Sequence, residues 1–370
     1  MSRCTGAGLR AAAGVMMDRV RLERYLSGRL GDDVRITSLS QAFPGLSRET
    51  WLVRLDRGRA DTAVEQGLVV RADSAGGPFP PVPLEYEYQV YVHLARTEVP
   101  VARPLWFDAS PEPSDGRALF VREMVEGSTL LPGLGDDTEA ASLRRRRVGI
   151  EHMENLAKLH RLDWRTAGFG SFMEVPDSAE DAPRRELMRW WRVWERVRTA
   201  PLPVVTEALH WFADNLPKRA ASVSLCKGQN GIGEEIWRDD HIVALCDWEL
   251  ANIGDPCQDL ALSQGMLKLW DRDKLVAHYE AVAGFSLPPE NIDYYIVWNA
   301  FKSMLSLNNG LNSFLDGRYR RLARATLGYG KVKVYEHLLG AITGLDLRGA
   351  ADLVTRGQPN PYHNKKVAGG

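Results

Sequence analysis

The 370-residue sequence has only four cysteines, Cys4, Cys226, Cys246 and Cys257, and none stands at CxxC spacing. Thiols this sparse exclude a disulfide scaffold and a structural zinc site, and they point to a reduced cytoplasmic compartment. An excess of one charge is also lacking. Lys and Arg total 47 against 48 Asp and Glu, so no net field draws the molecule onto nucleic acid or an anionic membrane. The partner expected is a small-molecule substrate. No apolar run approaches the roughly 18 residues needed to cross a bilayer, and no internal repeat is present. The basic run at 144–147 reads as a solvated helix start rather than a nucleic-acid patch.

Hydrophobic residues make up 44% of the chain, enough for a sizeable core, and the length suits two domains or two lobes. Residues 1–19 read as a flexible leader. A transit segment, or a start upstream of Met16 or Met17, are the other readings of this Ala-rich stretch. Gly6, Gly8 and Ala11 loosely match a dinucleotide fingerprint, but no strand precedes them to aim the glycine turn. Residues 20–126 read as a β-rich lobe. "VRITSLSQAF", "ETWLVRLD" and "GLVVRAD" alternate or cluster β-branched and aromatic residues between turns, as an antiparallel sheet with one wet face does. "LEYEYQVYVHL" then places Leu84, Tyr88, Tyr91 and Leu94 at helical spacing, the first helix expected, and "ALFVREMVEG" returns to strand.

Residues 127–355 read as helical, with periodic segments near 148–164, 184–198, 203–216, 270–284, 290–309 and 318–338. Short strands return only at "SVSLC" and "HIVALCDW", expected as a hairpin that carries the site. Residues 356–370 read as a tail. The expected class is therefore α+β: a small antiparallel β-rich N-terminal lobe with one helix, and a larger, mainly helical C-terminal lobe with an embedded catalytic hairpin.

That order, together with "PGLSRETWLVRL", "GLVVRAD", "FVREMVEG", "LAKLHRLDW" and "CDWELANIGDPCQDLA", resembles the aminoglycoside phosphotransferase family and its protein-kinase-like two-lobe fold, over roughly residues 20–345. The subgroup it is most similar to is one linked with acyl-CoA metabolism. The resemblance implies ATP and Mg2+ as cofactors. It makes "PGLSRETWLVRL" the nucleotide-covering turn and second strand, Arg71 the phosphate-gripping base, and Glu87 its helix partner. It makes the backbone near Glu123 and Val125 the hinge that meets an adenine. Asp247 would ligate magnesium at the end of an apolar strand, and Glu249 would add a further oxygen. Asp255 and Asp259 would fix the adjoining loop and helix.

The family pattern His-Gly-Asp, followed five residues later by a magnesium-binding Asn, falls on Lys227, Gly228, Gln229 and Glu234. Three of the four positions depart from it. An amide at Gln229 can orient a hydroxyl but has no basic oxygen to take its proton. Glu234 keeps an oxygen for a metal, and Glu235 beside it could supply another. Lys227 must either snorkel outward or pair with Asp247 or Glu234.

The sequence thus favours an enzyme of this fold diverted from phosphorylation, with Lys227, Gln229 and Glu234 as a remodelled polar group acting on a small metabolite between the lobes. The alternatives are an active ATP- and Mg2+-dependent O-phosphotransferase acting on a hydroxylated metabolite or acyl thioester, and a regulatory pseudokinase. Trp190, Trp191, Trp194 and Trp211 at helical spacing read as core or as a pocket wall. Cys226 and Cys246, without a neighbouring histidine, read as packed thiols.

Overall fold

The computed structural model describes residues 17–356 except 43–46, 60–62, 75–81, 199–200, 231–232, 318–331, 333–335 and 341. Most of the expected leader, part of the expected nucleotide-covering turn, most of the 318–338 segment and nearly all of the tail lie outside the described residues.

A helix the sequence reading did not anticipate opens the fold. Helix α1 (Arg19–Leu30) is capped by the Asp18 carboxylate, which accepts from Arg21 N, and is closed by Gly31 at φ 66°. It buries only Leu22 and Leu26, so its apolar stripe is two residues wide and its arginine-rich remainder masks the period. The N-terminal lobe therefore has two helices rather than one. Strands β1 (Val34–Gln41), β2 (Arg48–Arg57) and β3 (Val64–Asp73) form the expected meander. β5 (Leu119–Glu123) and β4 (Pro104–Asp108) extend it into a five-stranded antiparallel sheet ordered β1-β2-β3-β5-β4. β4 begins on a proline and is half-buried along its whole length, which removes the alternation that would mark it. Helix α2 (Leu84–Leu94) buries Leu84, Glu87, Val90, Tyr91 and Leu94. Its one buried acid faces the sheet end that carries Arg71.

The C-terminal lobe contains α3 (Glu139–Arg161), α4 (Asp181–Val197), α5 (Pro203–Asp214), short α6 (Cys257–Leu262) and α7 (Gln264–Leu267), α8 (Arg272–Ala283) and the long α9 (Pro289–Leu315). Its core gathers Trp190, Trp194, Phe212, Tyr279, Trp298 and Phe301. The strands of this lobe pair differently from expectation. The hairpin joins β7 (Glu235–Arg238) to β8 (His241–Leu245) through Asp239 and Asp240, both at positive φ, as a two-residue primed turn requires. β6 (Ser224–Cys226) instead pairs with β9 (Asn252–Gly254). The chain on either side of Lys227–Glu234 is thereby clamped by two small antiparallel pairs. A second core of Tyr91, Phe120, Leu159, Trp164, Trp248 and Ile253 spans both lobes. No helix among the described residues is long and apolar enough to cross a membrane.

Candidate active site

The loop after β6 owes its course to one carboxylate. Asp259, at the start of α6, accepts Lys227 N at 2.6 Å and Gly228 N at 2.8 Å, and it takes His160 Nε2 of α3 at 3.0 Å. His160 Nδ1 in turn meets the Tyr279 hydroxyl at 2.5 Å. His160, Cys226 and Asp259 lie close enough to hold a metal, but the Asp259 oxygens are already spent on loop donors and the buried Cys226 thiol is pushed well up by desolvation. That cluster is an anchor. Asp255 has the loop-fixing part expected of it, accepting Cys257 N at 3.0 Å and Asn291 Nδ2 at 2.8 Å. Gly228 sits at φ 75°, where an added Cβ would lie 2.0 Å from the Leu250 carbonyl oxygen. A Gly228→Ala variant is expected to lose about 2–5 kcal/mol through backbone strain plus overlap, read as the shift in a urea unfolding midpoint.

From that anchored backbone the three departing side chains converge. Lys227 is 1% exposed and does not snorkel. Its ammonium donates to Glu234 Oε2 at 3.0 Å, to the Asp247 carbonyl at 3.3 Å and to the Gln229 carbonyl, and it lies 5.6 Å from the Trp248 ring centre. Of the two partners expected for it, Glu234 provides the carboxylate and Asp247 only a main-chain oxygen. Burial lowers the Lys227 pKa, but Glu234 and then Asp247 outweigh it and the net direction is up. Gln229 Nε2 donates to Glu234 Oε1 at 2.9 Å, so a carboxylate stands directly against the amide that replaced the expected acid. The Glu234 side chain is 17% exposed. Desolvation raises its pKa, Lys227 opposes the rise, and Asp247 adds to it. Glu235 is not in this group. It turns into the core as partner of His152, whose Nε2 reaches Ser263 Oγ at 2.8 Å.

Across the cleft, Arg71 on β3 pairs with Glu87 and reaches two further residues. Its Nε donates to Glu87 Oε2 at 2.9 Å, its Nη1 to Thr50 Oγ1 at 3.2 Å, and its Nη2 to Asp247 Oδ1 at 2.7 Å. Asp247 sits at φ 65°, a strained setting for a non-glycine residue. Its Oδ2 has no hydrogen-bond donor among the described residues, and its side chain is 26% exposed. Glu249 is buried behind it, accepting from Ser47 Oγ at 2.6 Å and Arg48 Nε at 3.1 Å. Desolvation first, then Asp247, pushes the Glu249 carboxyl up to about 8, with Arg71 and Arg48 opposing.

Arg48 is the member of this network that sequence reasoning missed. Fully buried, it also binds the Asp73 carboxylate and the Val82 carbonyl and lies 3.5 Å from Glu87. It falls inside the quoted "PGLSRETWLVRL", but an arginine before an acid at a strand start carries no sign of burial. Among the described residues, four carboxylates (Asp73, Glu87, Asp247, Glu249) surround two guanidiniums (Arg48, Arg71). The carboxyl groups outnumber the guanidiniums by two, and the Glu249 carboxyl, pushed up to about 8, would give up its proton to an incoming cation, so the donor set suits a hard, oxygen-seeking ion.

The backbone expected to meet an adenine runs from the end of β5 through Val125. Glu123 N is used by the Arg103 carbonyl at 2.9 Å and the Glu123 side chain pairs outward with Arg103, whereas the Val125 N–H has no backbone acceptor among the described residues. A cavity of about 260 Å3 adjoins the network at Glu249 and is walled by Tyr86, Phe172, Met173, Arg185, Arg189 and Ile253 among others. Its lining excludes the four tryptophans. Trp190 and Trp194 are buried in the helical core, with Trp191 and Trp211 packed against it. Cys246, its thiol pushed up to about 11 by burial, is a packed thiol as expected.

Two lobes, a β3 arginine paired to a helix glutamate, and an aspartate at the end of an apolar strand define a kinase-like phosphotransferase fold. Residues 40–291 match the model of the APH phosphotransferase enzyme family, and the chain belongs to that family. Among curated relatives, acyl-CoA dehydrogenase family member 11 of Gallus gallus is 24% identical over 326 residues, 80% of this chain and 39% of the relative. The chain thus spans well under half the length of that relative. Among solved structures, a Ralstonia eutropha protein assigned to the aminoglycoside phosphotransferases aligns at TM-score 0.62 and 19% identity over 92% of this chain and 99% of that one. The choline kinase LicA of Streptococcus pneumoniae aligns at TM-score 0.54 and 14% identity over 86% and 98%. At these identities the two structures establish the fold.

Proposed function

We propose that this chain is an ATP- and Mg2+-dependent O-phosphotransferase acting on the hydroxyl of a small molecule, with Glu234 carrying the negative charge that the Gln229 amide lacks. The observation that carries this reading is the Glu234 carboxylate, 2.9 Å from Gln229 Nε2 and paired with the Lys227 ammonium. Phosphoryl transfer depends mainly on positioning and electrostatics, and the parts for both are arranged around one cleft.

In this reading the Val125 N–H is available to an adenine edge and Arg71 exchanges part of its bond to Asp247 for a phosphate oxygen. Asp247 Oδ2 and Glu249 are the oxygens that would hold magnesium, which when bound would neutralise charge on the phosphates. Gln229 orients the acceptor hydroxyl, and Glu234, its basicity raised by burial, receives the proton as the oxygen attacks. The 260 Å3 cavity beside Glu249 suits an acceptor with an apolar body, and the acyl-CoA dehydrogenase name of the relative suggests a hydroxylated acyl metabolite.

ATP with magnesium should raise the melting temperature and release ADP in the presence of a hydroxylated acceptor. Asp247→Ala should cut turnover by about 100- to 1,000-fold, the scale of losing one charge-stabilising group. No stabilisation at millimolar ATP would sink the reading.

A second reading, a scaffold diverted to non-phosphoryl chemistry, is favoured by one observation. Both Glu234 oxygens are already engaged, one by Gln229 and one by Lys227. It predicts that no nucleotide binds, and that Gln229→Asp is the change that restores ATP hydrolysis.

A further inference from the structure

Lys227 fits neither part that the loop's pattern offers it. It is not an outward-facing charge, and it does not neutralise the Asp247 carboxylate, which Arg71 takes. Its ammonium instead has the surroundings of a bound cation. The oxygens around it are one carboxylate oxygen of Glu234 and the main-chain carbonyls of Gln229 and Asp247. The face of Trp248 lies on another side at 5.6 Å. Those oxygens come from the two segments that jointly hold metal in kinase-like sites, where one ion is shared by the loop residue five positions after the acid and a second rests on the strand-end aspartate. Glu234 occupies that loop position.

We infer that the Lys227 ammonium is a tethered replacement for one of the two divalent cations, so that the site takes a single metal ion, on the Asp247 and Glu249 side. The inference rests on the proposed phosphotransferase reading for its purpose but not for its geometry.

The charges agree with this placement. Lys227 and Glu234 cancel one another, whereas the four carboxyl groups around Arg48 and Arg71 outnumber those guanidiniums by two, and Glu249 among them has a proton to exchange for a cation. Only the second group has room for a dication. The tether is also rigid. Lys227 N is held by the Asp259 carboxylate at 2.6 Å, and Gly228 is pressed against Leu250 in a conformation only glycine adopts without strain. An ammonium fixed from both ends cannot leave as a hydrated ion does. It would keep Glu234 ionised and oriented at every metal concentration.

The test counts ions. Purified full-length protein is titrated with Mn2+ alone, then with Mn2+ and a non-hydrolysable ATP analogue, and free Mn2+ is read by electron paramagnetic resonance. The expected result is one bound Mn2+ per chain in the wild type and two in Lys227→Met, with Lys227→Met/Glu234→Gln returning to one. Any wild-type count other than one overturns the inference, even if Lys227→Met fails to fold. So does a folded Lys227→Met that still binds one. A purely structural lysine would change stability and leave the count alone. Should the analogue neither bind nor alter the counts while metal alone gives one and two, the phosphotransferase reading falls and the inference stands.

Discussion

Replacing Arg48 with methionine is expected to cost about 3–5 kcal/mol of folding stability, the scale of removing one partner from a buried ion pair. The side chain is wholly buried and, among the described residues, is the only ion-pair partner of the Asp73 carboxylate, while it shares Glu87 and Glu249 with Arg71. Methionine fills much of the volume but leaves three acids facing one guanidinium, Arg71, which is already committed to Asp247. Glu249, its carboxyl already pushed up to about 8, would be driven further toward its neutral form. Arg48→Met combined with Glu249→Gln should recover part of the loss, because the second change puts a neutral side chain where an acid has lost its cationic partner. Urea unfolding of the two variants measures both effects. An Arg48→Met protein within 1 kcal/mol of the wild type, a margin ordinary for exposed sites, would show that the network is solvated in solution.

The second large effect is on turnover. Glu234→Gln keeps the shape of the side chain but offers one carbonyl oxygen where the carboxylate accepts at two, from Lys227 and from Gln229, so it costs some stability. The nucleotide affinity should change little because Arg71 and Asp247 are untouched. Removing the carboxylate that stands against the Gln229 amide should lower kcat by about 100- to 10,000-fold, the range of general-base assistance. The KM for ATP should stay within a few-fold. Steady-state ADP release separates the two parameters. An unchanged kcat would assign the proton to water or to the phosphate itself.

The pattern of what could be read from sequence has physical causes. Strands β1–β3, α2, the Arg71–Glu87 pair and the Asp247 strand end are all marked by strong periodicity or by a charged residue ending an apolar run. The clamp was misread because β7, "EIWR", hides its pairing. Its glutamate is buried on His152, which inverts the polar-out alternation that identifies a strand. α1 was missed because two leucines among arginines make a weak stripe. In the site, the identity of the loop residues was visible, but the choice between Glu234 and Asp247 as the partner of Lys227 was not. That choice depends on how the β6–β9 and β7–β8 pairs bring the loop against the Asp247 strand end. Arg48 was hidden for the same kind of reason, since no local spacing records that four distant segments close over it.

The Asp259 anchor grips main-chain N–H groups, which nineteen of the twenty residue types possess. A loop suspended in this way keeps its path whatever side chains it displays, so positions 227, 229 and 234 could trade chemistry without the loop backbone being rebuilt. The scaffold behaves as a socket into which reactive groups are fitted, and the one setting it cannot vary is the bare glycine at 228.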